Sequence, residues 1–256
     1  MRFVTLRLKS LLSALLLGGA LLLGSGVAYA ADAEEVWWSG ARSLPVYSVE
    51  RSDNKIAISF DCAWGTEHTD AILSCLEETG VRATFFTVQF WAERYPDYLK
   101  KIDEAGHEVG THSATHSYMS RQSEAEIRSE LESSCAAISS VTGKQVTLFR
   151  PPYGDYDDLL IDTCRSMGIQ PVQWDVDSLD WKDLSAADIA ERIISRTKSG
   201  SIILCHNNGL HTAEALPIVI DALRAKGLEF VPIGELVYFE NYTIDATGRQ
   251  FPQETR

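Results

Sequence analysis

The sequence predicts one α/β domain folded as an irregular (β/α)7-type barrel, in which seven strands alternate with helices. Short runs rich in valine, isoleucine and phenylalanine recur along the chain. They are mostly apolar on both faces, which is typical of buried parallel strands. Segments with helix caps and glycine stops lie between them. Reactive side chains follow several of the runs, and in such barrels the chemistry gathers at the C-terminal ends of the strands.

The predicted strands are short and are separated by helix-like segments. They are Ile56–Asp61, Ala83–Val88, His107–His112, Val146–Phe149, Gln170–Val176, Ser201–His206 and Glu229–Ile233. Together they place the domain at residues 55–238, with a lead-in segment at 31–54 and a polar tail, expected to be loose, at 239–256.

The helices have recognisable ends. Ser123 and Glu126 form a capping-box pattern, and the helix that they open is predicted to stop at Gly143. Ser185 opens another helix, and further C-terminal stops are expected at Gly80, Gly168 and Gly227.

Residues 1–30 have the layout of a secretory signal peptide. Basic residues precede an apolar run at 11–27, and Ala28-Tyr29-Ala30 closes it with small residues, so the mature chain is predicted to begin at Ala31. The alternative is an uncleaved membrane anchor, since the run is nearly long enough to span a bilayer. Either way the domain faces the outside of the cell, and membrane contact is expected only if the segment is uncleaved. We expect a secreted, wall-associated monomer.

Composition excludes one class of partner. The formal net charge is −13, and it becomes −16 without Arg2, Arg7 and Lys9 of the leader. A basic nucleic-acid footprint is therefore absent.

The five cysteines are an odd number for an exported chain, so at least one thiol is free or pairs with another molecule. Their scatter does not resemble a disulfide framework. Cys75, Cys135 and Cys164 fall within helical patterns and are expected to fill core positions.

Five reactive side chains lie at or just beyond strand ends: Asp61, His112, Arg150, Asp177 and His206. His112 and His116 are four residues apart, a spacing that on one helical turn points two imidazoles toward one metal ion. Asp175 and Asp177 share one face of their strand. His206 ends a very apolar strand, where it is either a hydrogen-bonded core group or, near a carboxylate, a general acid.

The segment "RPPYG" is expected to form a stiff loop. Two prolines follow Arg150, and proline fixes φ and lacks an N–H, so the next free amide is that of Tyr153. A fixed N–H is suited to stabilising an oxyanion. The alternative is a rigid turn beside a solvated arginine.

Five motifs in order resemble the polysaccharide deacetylases with the NodB-homology fold, a metal-dependent carbohydrate esterase family. They are "SFDCAWG", "HSATH", "RPPYG", "DSLDW" and "IILCH", spread over residues 55–237. The forms "FDxAWG" and "WDVDSLDWK" are most similar to the sporulation-type branch of spore-forming bacteria.

The resemblance implies that His112 and His116 bind a divalent metal, most simply Zn²⁺. It implies that Asp61 is the general base that deprotonates a water molecule, and that Arg150 orients it. The Tyr153 amide would stabilise the oxyanion.

For the other side of the reaction, the resemblance implies that His206 protonates the leaving amine. Asp177 would orient His206 and raise its pKa. Trp181 and Leu204 would form the pocket for the acetyl methyl group.

Cys62 departs from the family pattern. Most members carry there a second aspartate, the third protein ligand of the metal. A thiolate is a good zinc ligand, so Cys62 is one candidate for that position. The alternative is that a small buried cysteine packs like alanine.

Three functions are compatible with these features. The first is removal of N-acetyl groups from an amino-sugar polymer, with peptidoglycan ahead of chitin-like oligomers. The second is a catalytically weak wall- or spore-associated protein that binds glycan. The third, hydrolysis of another small amide, rests on the fold alone.

Overall fold

Parallel strands and surrounding helices alternate along the chain, in a computed structural model that describes residues 42–253. The predicted leader at 1–30 and its cleavage point lie outside the described residues. The strands are β1 (Ser48–Val49), β2 (Lys55–Cys62), β3 (Thr84–Thr87), β4 (Glu108–Thr111), β5 (Leu148–Phe149), β6 (Gln170–Pro171), β7 (Val176–Asp177), β8 (Ile202–His206), β9 (Glu229–Phe230), β10 (Tyr242–Ile244) and β11 (Arg249–Pro252).

The helices lie mainly between successive strands. They are α1 (Thr69–Thr79), α2 (Gln89–Arg94), α3 (Pro96–Glu104), α4 (Glu124–Thr142), α5 (Asp158–Ser166), α6 (Ala186–Arg196), α7 (Thr212–Ala225) and α8 (Ile233–Leu236). The capping box of Ser123 and Glu126 and the left-handed Gly143 bound α4 as predicted. Within residues 42–253, no helix combines the length and the apolar character needed to cross a membrane.

The main sheet has the strand order β6-β5-β4-β3-β2-β8-β7, and β9 pairs with the start of β2. Every pairing in it is parallel. Among the described strands, β6 and β7 are not paired with each other, so the barrel is open at that point. The predicted fold class, an irregular seven-stranded β/α barrel, is confirmed.

Alternation along β2 separates the two sides of the sheet. Ile56, Ile58 and Phe60 pack in the large cluster that also contains the buried faces of α1 and α7. Ala57 belongs to a different apolar cluster on the other side. Fully burying such an apolar side chain contributes about 1.5–3 kcal/mol, so this pattern fixes the register of β2. The same alternation decides which way the last two residues of the strand point.

One predicted strand is two strands. The run at 170–176 forms β6 and then β7, which lie at opposite edges of the main sheet. Because the run contains no glycine or turn motif, the crossing from one edge to the other was not evident from the sequence. Pro171, which lacks a ladder N–H, ends β6.

The C-terminal tail is ordered, contrary to the expectation of a loose segment. β10 and β11 form an antiparallel hairpin, and β1 adds to it in a three-stranded sheet. Asp245 holds the turn, because its Oδ1 accepts hydrogen bonds from Thr247 and from the Arg249 N–H. The part of the lead-in segment that the structure describes, residues 42–54, is also part of the fold, since Val46 forms a bridge to Val172 beside β6.

Candidate active site

A cavity of about 490 Å³ opens at the C-terminal ends of the strands. The predicted site residues that line it are Asp61, His112, His116, Tyr153, Asp177, Trp181, Leu204 and His206. Arg150 lies behind Asp61, fully buried. The structure thus brings together all the predicted residues except Cys62.

Asp61 and Arg150 form a buried ion pair. The guanidinium Nη1 donates to Asp61 Oδ1 at 2.8 Å and Nη2 donates to the Gln173 carbonyl at 3.1 Å. The guanidinium also lies 4.3 Å from the centre of the Phe86 ring. Burial is the largest single effect and raises the pKa of Asp61, but the charge and hydrogen bond of Arg150, together with the neighbouring His112 and His206, outweigh it, so the net pKa is lowered and the carboxylate is ionised. A fixed, ionised carboxylate can accept a proton from water.

Asp61 and His206 are neighbours by strand register. They are direct partners on the adjacent parallel strands β2 and β8, and both side chains line the cavity. The pairing of β2 with β8 therefore places a carboxylate and an imidazole side by side at the C-terminal ends of these two strands.

The hydrogen-bond partner of His206 is Asp180, so the prediction that Asp177 orients His206 was wrong, although the charge of Asp177 does contribute to raising the His206 pKa. Asp180 Oδ1 lies 2.7 Å from His206 Nδ1, and Oδ2 accepts the His206 backbone N–H at 2.8 Å. Asp177 instead accepts the Leu179 N–H, although its side chain still lines the cavity. The chain leaves the strand after Asp177, and Leu179 at φ 56° begins a 3₁₀ turn that brings Asp180 to His206. The resemblance assigned this role to Asp177, whereas the second acid of "DSLD" was also available in the motif.

Asp180 raises the pKa of His206. Burial alone lowers that pKa, but the hydrogen bond and the charge of Asp180, together with the charges of Asp61 and Asp177, outweigh burial. Because a carboxylate only accepts, Nδ1 of His206 carries a proton, and the second ring nitrogen is left for the cavity. A histidine with this environment can hold a proton and donate it to a leaving group.

His112 and His116 lie together, but not on a helical turn. Ser113 and His116 have positive φ, and Ser113 Oγ accepts the His116 N–H at 3.0 Å, so a tight loop replaces the expected helix. The two ring centres are 4.9 Å apart. Burial, and then His112, lowers the pKa of His116 to about 4, and burial lowers the pKa of His112. Both imidazoles are therefore neutral at physiological pH, the form that binds metals.

The free donor atoms fit a divalent cation. His112 Nδ1 lies 2.7 Å from the Arg150 carbonyl, which can only accept, so the His112 Nε2 lone pair is free. That Nε2 is 3.5 Å from Asp61 Oδ2, which places two acceptor atoms face to face. His116 Nδ1 is buried with no hydrogen-bond partner. Within residues 42–253, no three His, Cys, Asp or Glu side chains already converge as a complete ligand set.

Cys62 is not brought to the two histidines, which contradicts its candidacy as a ligand. It follows Asp61 on the pleated strand and points to the other side, into the cluster of Ile58 and Phe60. Its Sγ lies 3.8 Å from the Phe60 carbonyl, and burial raises the pKa of the thiol well above its usual value. The thiol is a core group. All five cysteines of the chain are unpaired.

Tyr153, Trp181 and Leu204 lie at the cavity as predicted. Tyr153 adopts φ 60°, and within residues 42–253 its backbone N–H makes no hydrogen bond. Trp181 is 55% exposed whereas Leu204 is 3% exposed. An exposed indole and a buried leucine provide an apolar wall of the cavity. A free amide and an apolar wall suit a small acyl group.

Comparisons with known proteins identify the family of this chain. The family model for polysaccharide deacetylase matches residues 48–172. A peptidoglycan-N-acetylglucosamine deacetylase of Bacillus cereus is 30% identical over 200 residues, covering 76% of this chain and 93% of that protein. The chain belongs to the polysaccharide deacetylase family. The peptidoglycan-N-acetylglucosamine deacetylase PgdA of Listeria monocytogenes is 31% identical over 212 residues, covering 83% of this chain. The chain spans 44% of that relative.

A solved structure in this family shares the fold. BA3943 of Bacillus anthracis, described as a CE4-family pseudoenzyme, is 29% identical with a TM-score of 0.74, covering 82% of this chain and 73% of that one. A mutant of BA3943 is described as having restored enzymatic activity. The polysaccharide deacetylase family thus includes both active and inactive barrels of this shape.

Proposed function

We propose that this protein is an exported, metal-dependent hydrolase that removes N-acetyl groups from peptidoglycan. The observation that carries the proposal is the juxtaposition of two polar pairs in one cavity. Asp61, held by Arg150, lies beside His206, held by Asp180. One pair is suited to remove a proton and the other to supply one, as hydrolysis of an amide requires.

The reaction would proceed as follows. Asp61 accepts a proton from water as the water oxygen attacks the acetyl carbonyl carbon. The Tyr153 N–H donates to the oxygen that becomes negative. The C–N bond then breaks, and His206 gives its proton to the leaving nitrogen. The products are acetate and a free amine on the sugar, and Trp181 and Leu204 contact the acetyl methyl group throughout.

His112 and His116 would hold the metal, and we propose Zn²⁺. Bound there, it would polarise the acetyl carbonyl and make the attacking water more acidic. Neutral imidazole nitrogens are common zinc ligands. Two protein ligands leave positions open for solvent and substrate.

Acetate release tests the proposal. Purified protein is assayed on peptidoglycan fragments and on N-acetylglucosamine oligomers, before and after chelation and with Zn²⁺ returned. Wild type should release acetate, and Asp61→Asn should not. Asp97→Asn is the matched control, because Asp97 is an exposed acid in the first turn of α3. Release that is equal in wild type and Asp61→Asn contradicts the assignment.

A second function has its own support. Because Cys62 packs in the core, two imidazoles are the only protein ligands that the resemblance supplies and the structure brings to the cavity. The protein would then be a catalytically weak glycan binder at the wall or the spore. Tight glycan binding with no acetate release at any zinc concentration would favour this reading.

The proposal also covers the export of the protein, its oligomeric state and its branch of the family. We propose that cleavage follows Ala30, that the mature protein acts as a secreted monomer at the cell wall, and that it belongs to the sporulation-type branch. Mass spectrometry of the secreted form tests the new N-terminus at Ala31. An intact N-terminus in the membrane fraction would indicate an anchor instead.

A further inference from the structure

One wall of the cavity continues outward as a row of aromatic rings. The Tyr153 ring lies 4.6 Å from the His116 ring, and the Tyr118 ring stacks on Tyr153 at 4.3 Å with an interplanar angle of 15°. Both tyrosines are exposed, at 56% and 43%. The row ends in a cation, because the Arg121 guanidinium lies 4.6 Å from the centre of the Tyr118 ring.

The opposite wall of the cavity also ends in a cation beside an aromatic ring. Trp181 lines the cavity, and Lys182 Nζ lies 4.7 Å from the centre of its ring. Trp181 follows β7, while Tyr118 and Tyr153 follow β4 and β5. In the sheet, β7 lies on one side of β2 and the other two strands lie on the other side. The two aromatic-cation pairs therefore flank the cavity in which Asp61 lies.

Neither cation is neutralised within the described part of the chain. Arg121 and Lys182 are exposed, and among residues 42–253 neither side chain forms an ion pair or a hydrogen bond. Most arginines of the described chain do have such a partner, as Arg82 has in Glu235. In a chain of formal charge −13, two cations without a partner beside this cavity are available to bind an anionic ligand.

Exposed aromatic rings and unpaired cations suit different parts of one ligand. The apolar C–H face of a sugar ring packs on an aromatic ring, and a cation held over that ring is free to meet a carboxylate. In peptidoglycan every second sugar carries a lactyl ether that ends in a carboxylate or continues as an acidic peptide. Chitin-like polymers carry no such charge.

We propose that Arg121 and Lys182 bind carboxylates on the sugars that flank the acetylated sugar in the cavity. Trp181 packs against one of those flanking sugars, and the stacked Tyr118 ring holds the Arg121 guanidinium beside the other. The pair of cations makes the site selective for a polymer whose alternate units are anionic. The inference rests on the proposed deacetylase function and specifies its substrate class.

The test compares matched substrates. One is a tetrasaccharide of alternating N-acetylglucosamine and N-acetylmuramic acid with free lactyl carboxylates, and the other is the same molecule with those carboxylates converted to methyl amides. The variants are Arg121→Gln, Lys182→Gln and the double variant. Arg94→Gln is the control, because Arg94 is also an exposed cation over an aromatic ring, 5.5 Å from Tyr95, but that ring neither lines the cavity nor stacks on a ring that does.

The measured quantity is the ratio of kcat/KM values for the two substrates. Wild type should prefer the carboxylate form by roughly tenfold, since exposed ion pairs each contribute a factor of about two to five. Each single variant should lower the ratio about threefold, mainly through KM, and the double variant should remove it. Raising the salt concentration should lower the wild-type ratio and leave that of the double variant unchanged. A ratio that is one in wild type, or that the double variant retains, overturns the inference.

A binding measurement separates this inference from the proposed activity. Calorimetric titration of the same variants with both tetrasaccharides needs no turnover. If no substrate yields acetate but wild type still binds the carboxylate form more tightly, and the double variant does not, the proposed activity fails and the recognition stands. If acetate is released but neither rate nor binding depends on the two cations, the proposed recognition of carboxylates is wrong and the proposed activity stands.

Discussion

His206 Nδ1 lies 2.7 Å from Oδ1 of Asp180, a side chain with no solvent exposure. Asp180 Oδ2 also accepts from Thr212 Oγ1 at 2.7 Å and from the His206 N–H. Asp180 is thus fixed from several directions and holds the His206 ring in one orientation. The net effect on the pKa of His206 is an increase.

Replacing Asp180 with Asn should lower kcat by about 10²–10⁴-fold, the usual contribution of a general acid. The pKa of His206 should fall, so the basic limb of the rate–pH profile should move to lower pH. Asp177→Asn is the comparison, because its Oδ1 accepts the Leu179 N–H rather than bonding to His206, and its charge raises the His206 pKa less than Asp180 does, so it should move the limb less. The profile of acetate release against pH checks both. If Asp177→Asn moves the basic limb and Asp180→Asn does not, Asp177 rather than Asp180 controls the pKa of His206.

Replacing Asp61 with Asn should remove the base and keep the fold. The expected loss of turnover is about 10²–10⁴-fold. Zinc content should stay near wild type, because the nitrogens of His112 and His116 are unchanged. Metal analysis and acetate release on one sample distinguish the two effects. Activity within a few-fold of wild type would mean that another group takes the proton.

Replacing Arg150 with Met should destabilise the fold strongly at neutral pH. Arg150 and Asp61 are both buried, and removing one partner of a buried pair costs about 3–5 kcal/mol. The ion pair lowers the pKa of Asp61, so its stabilisation is present above the unfolded-state pKa and is lost as pH falls through the folded-state value. The difference in unfolding free energy between wild type and variant should therefore shrink on acidification.

Urea titrations at pH 7.5 and at pH 2.5 measure this difference, because the stabilisation is lost only below the ordinary Asp pKa of 3.8. Arg82→Met is the matched control, because Arg82 pairs with Glu235 at the surface with about half of each side chain exposed. Such a pair contributes about 0–1 kcal/mol, so the control should lose little. An equal loss in the two variants would mean that the burial of Arg150 has no special effect.

Replacing Cys62 with Ala should leave zinc content and turnover near wild type and cost about 1 kcal/mol of stability, since roughly one buried methylene-sized group is removed. Cys62→Asp should be much less stable, because it puts a carboxylate among Ile58 and Phe60. Metal analysis and urea titration check both variants. A rise in zinc affinity and turnover in Cys62→Asp would show that the strand end can turn this side chain into the cavity.

Much of the fold was predictable because the signals are local. The β2 pattern and the Ser123 capping box depend only on neighbouring residues, and both appear as expected. The division of 170–176 into β6 and β7 depends on which distant strands pair with each half. The tail hairpin was missed because β10 and β11 are short and polar, and β11 pairs with β1 near the other end of the described chain. Secondary-structure propensity within a short window of sequence does not show which distant strands pair.

The sequence predicted which residues lie in the site better than it predicted which residue each of them contacts. Strand ends identified Asp61, Arg150 and His206, which the register of the sheet does place together. Whether Asp177 or Asp180 reaches His206 depends on the left-handed backbone conformation of Leu179. The sequence does not predict that conformation, because a leucine rarely adopts a positive φ. The orientation of Cys62 was implied by alternation along β2, which places it opposite to Asp61.

The lead-in strand has a consequence for solubility. Val46 donates its N–H to the Pro171 carbonyl and accepts from the Gln173 N–H, along the side of β6 that no barrel strand pairs. An uncovered strand edge is a template on which a second molecule can add its own strand. Residues 46–49 therefore act as a cover against self-association. A shortened protein that begins at Lys55 would keep the whole cavity and yet present this edge to its neighbours.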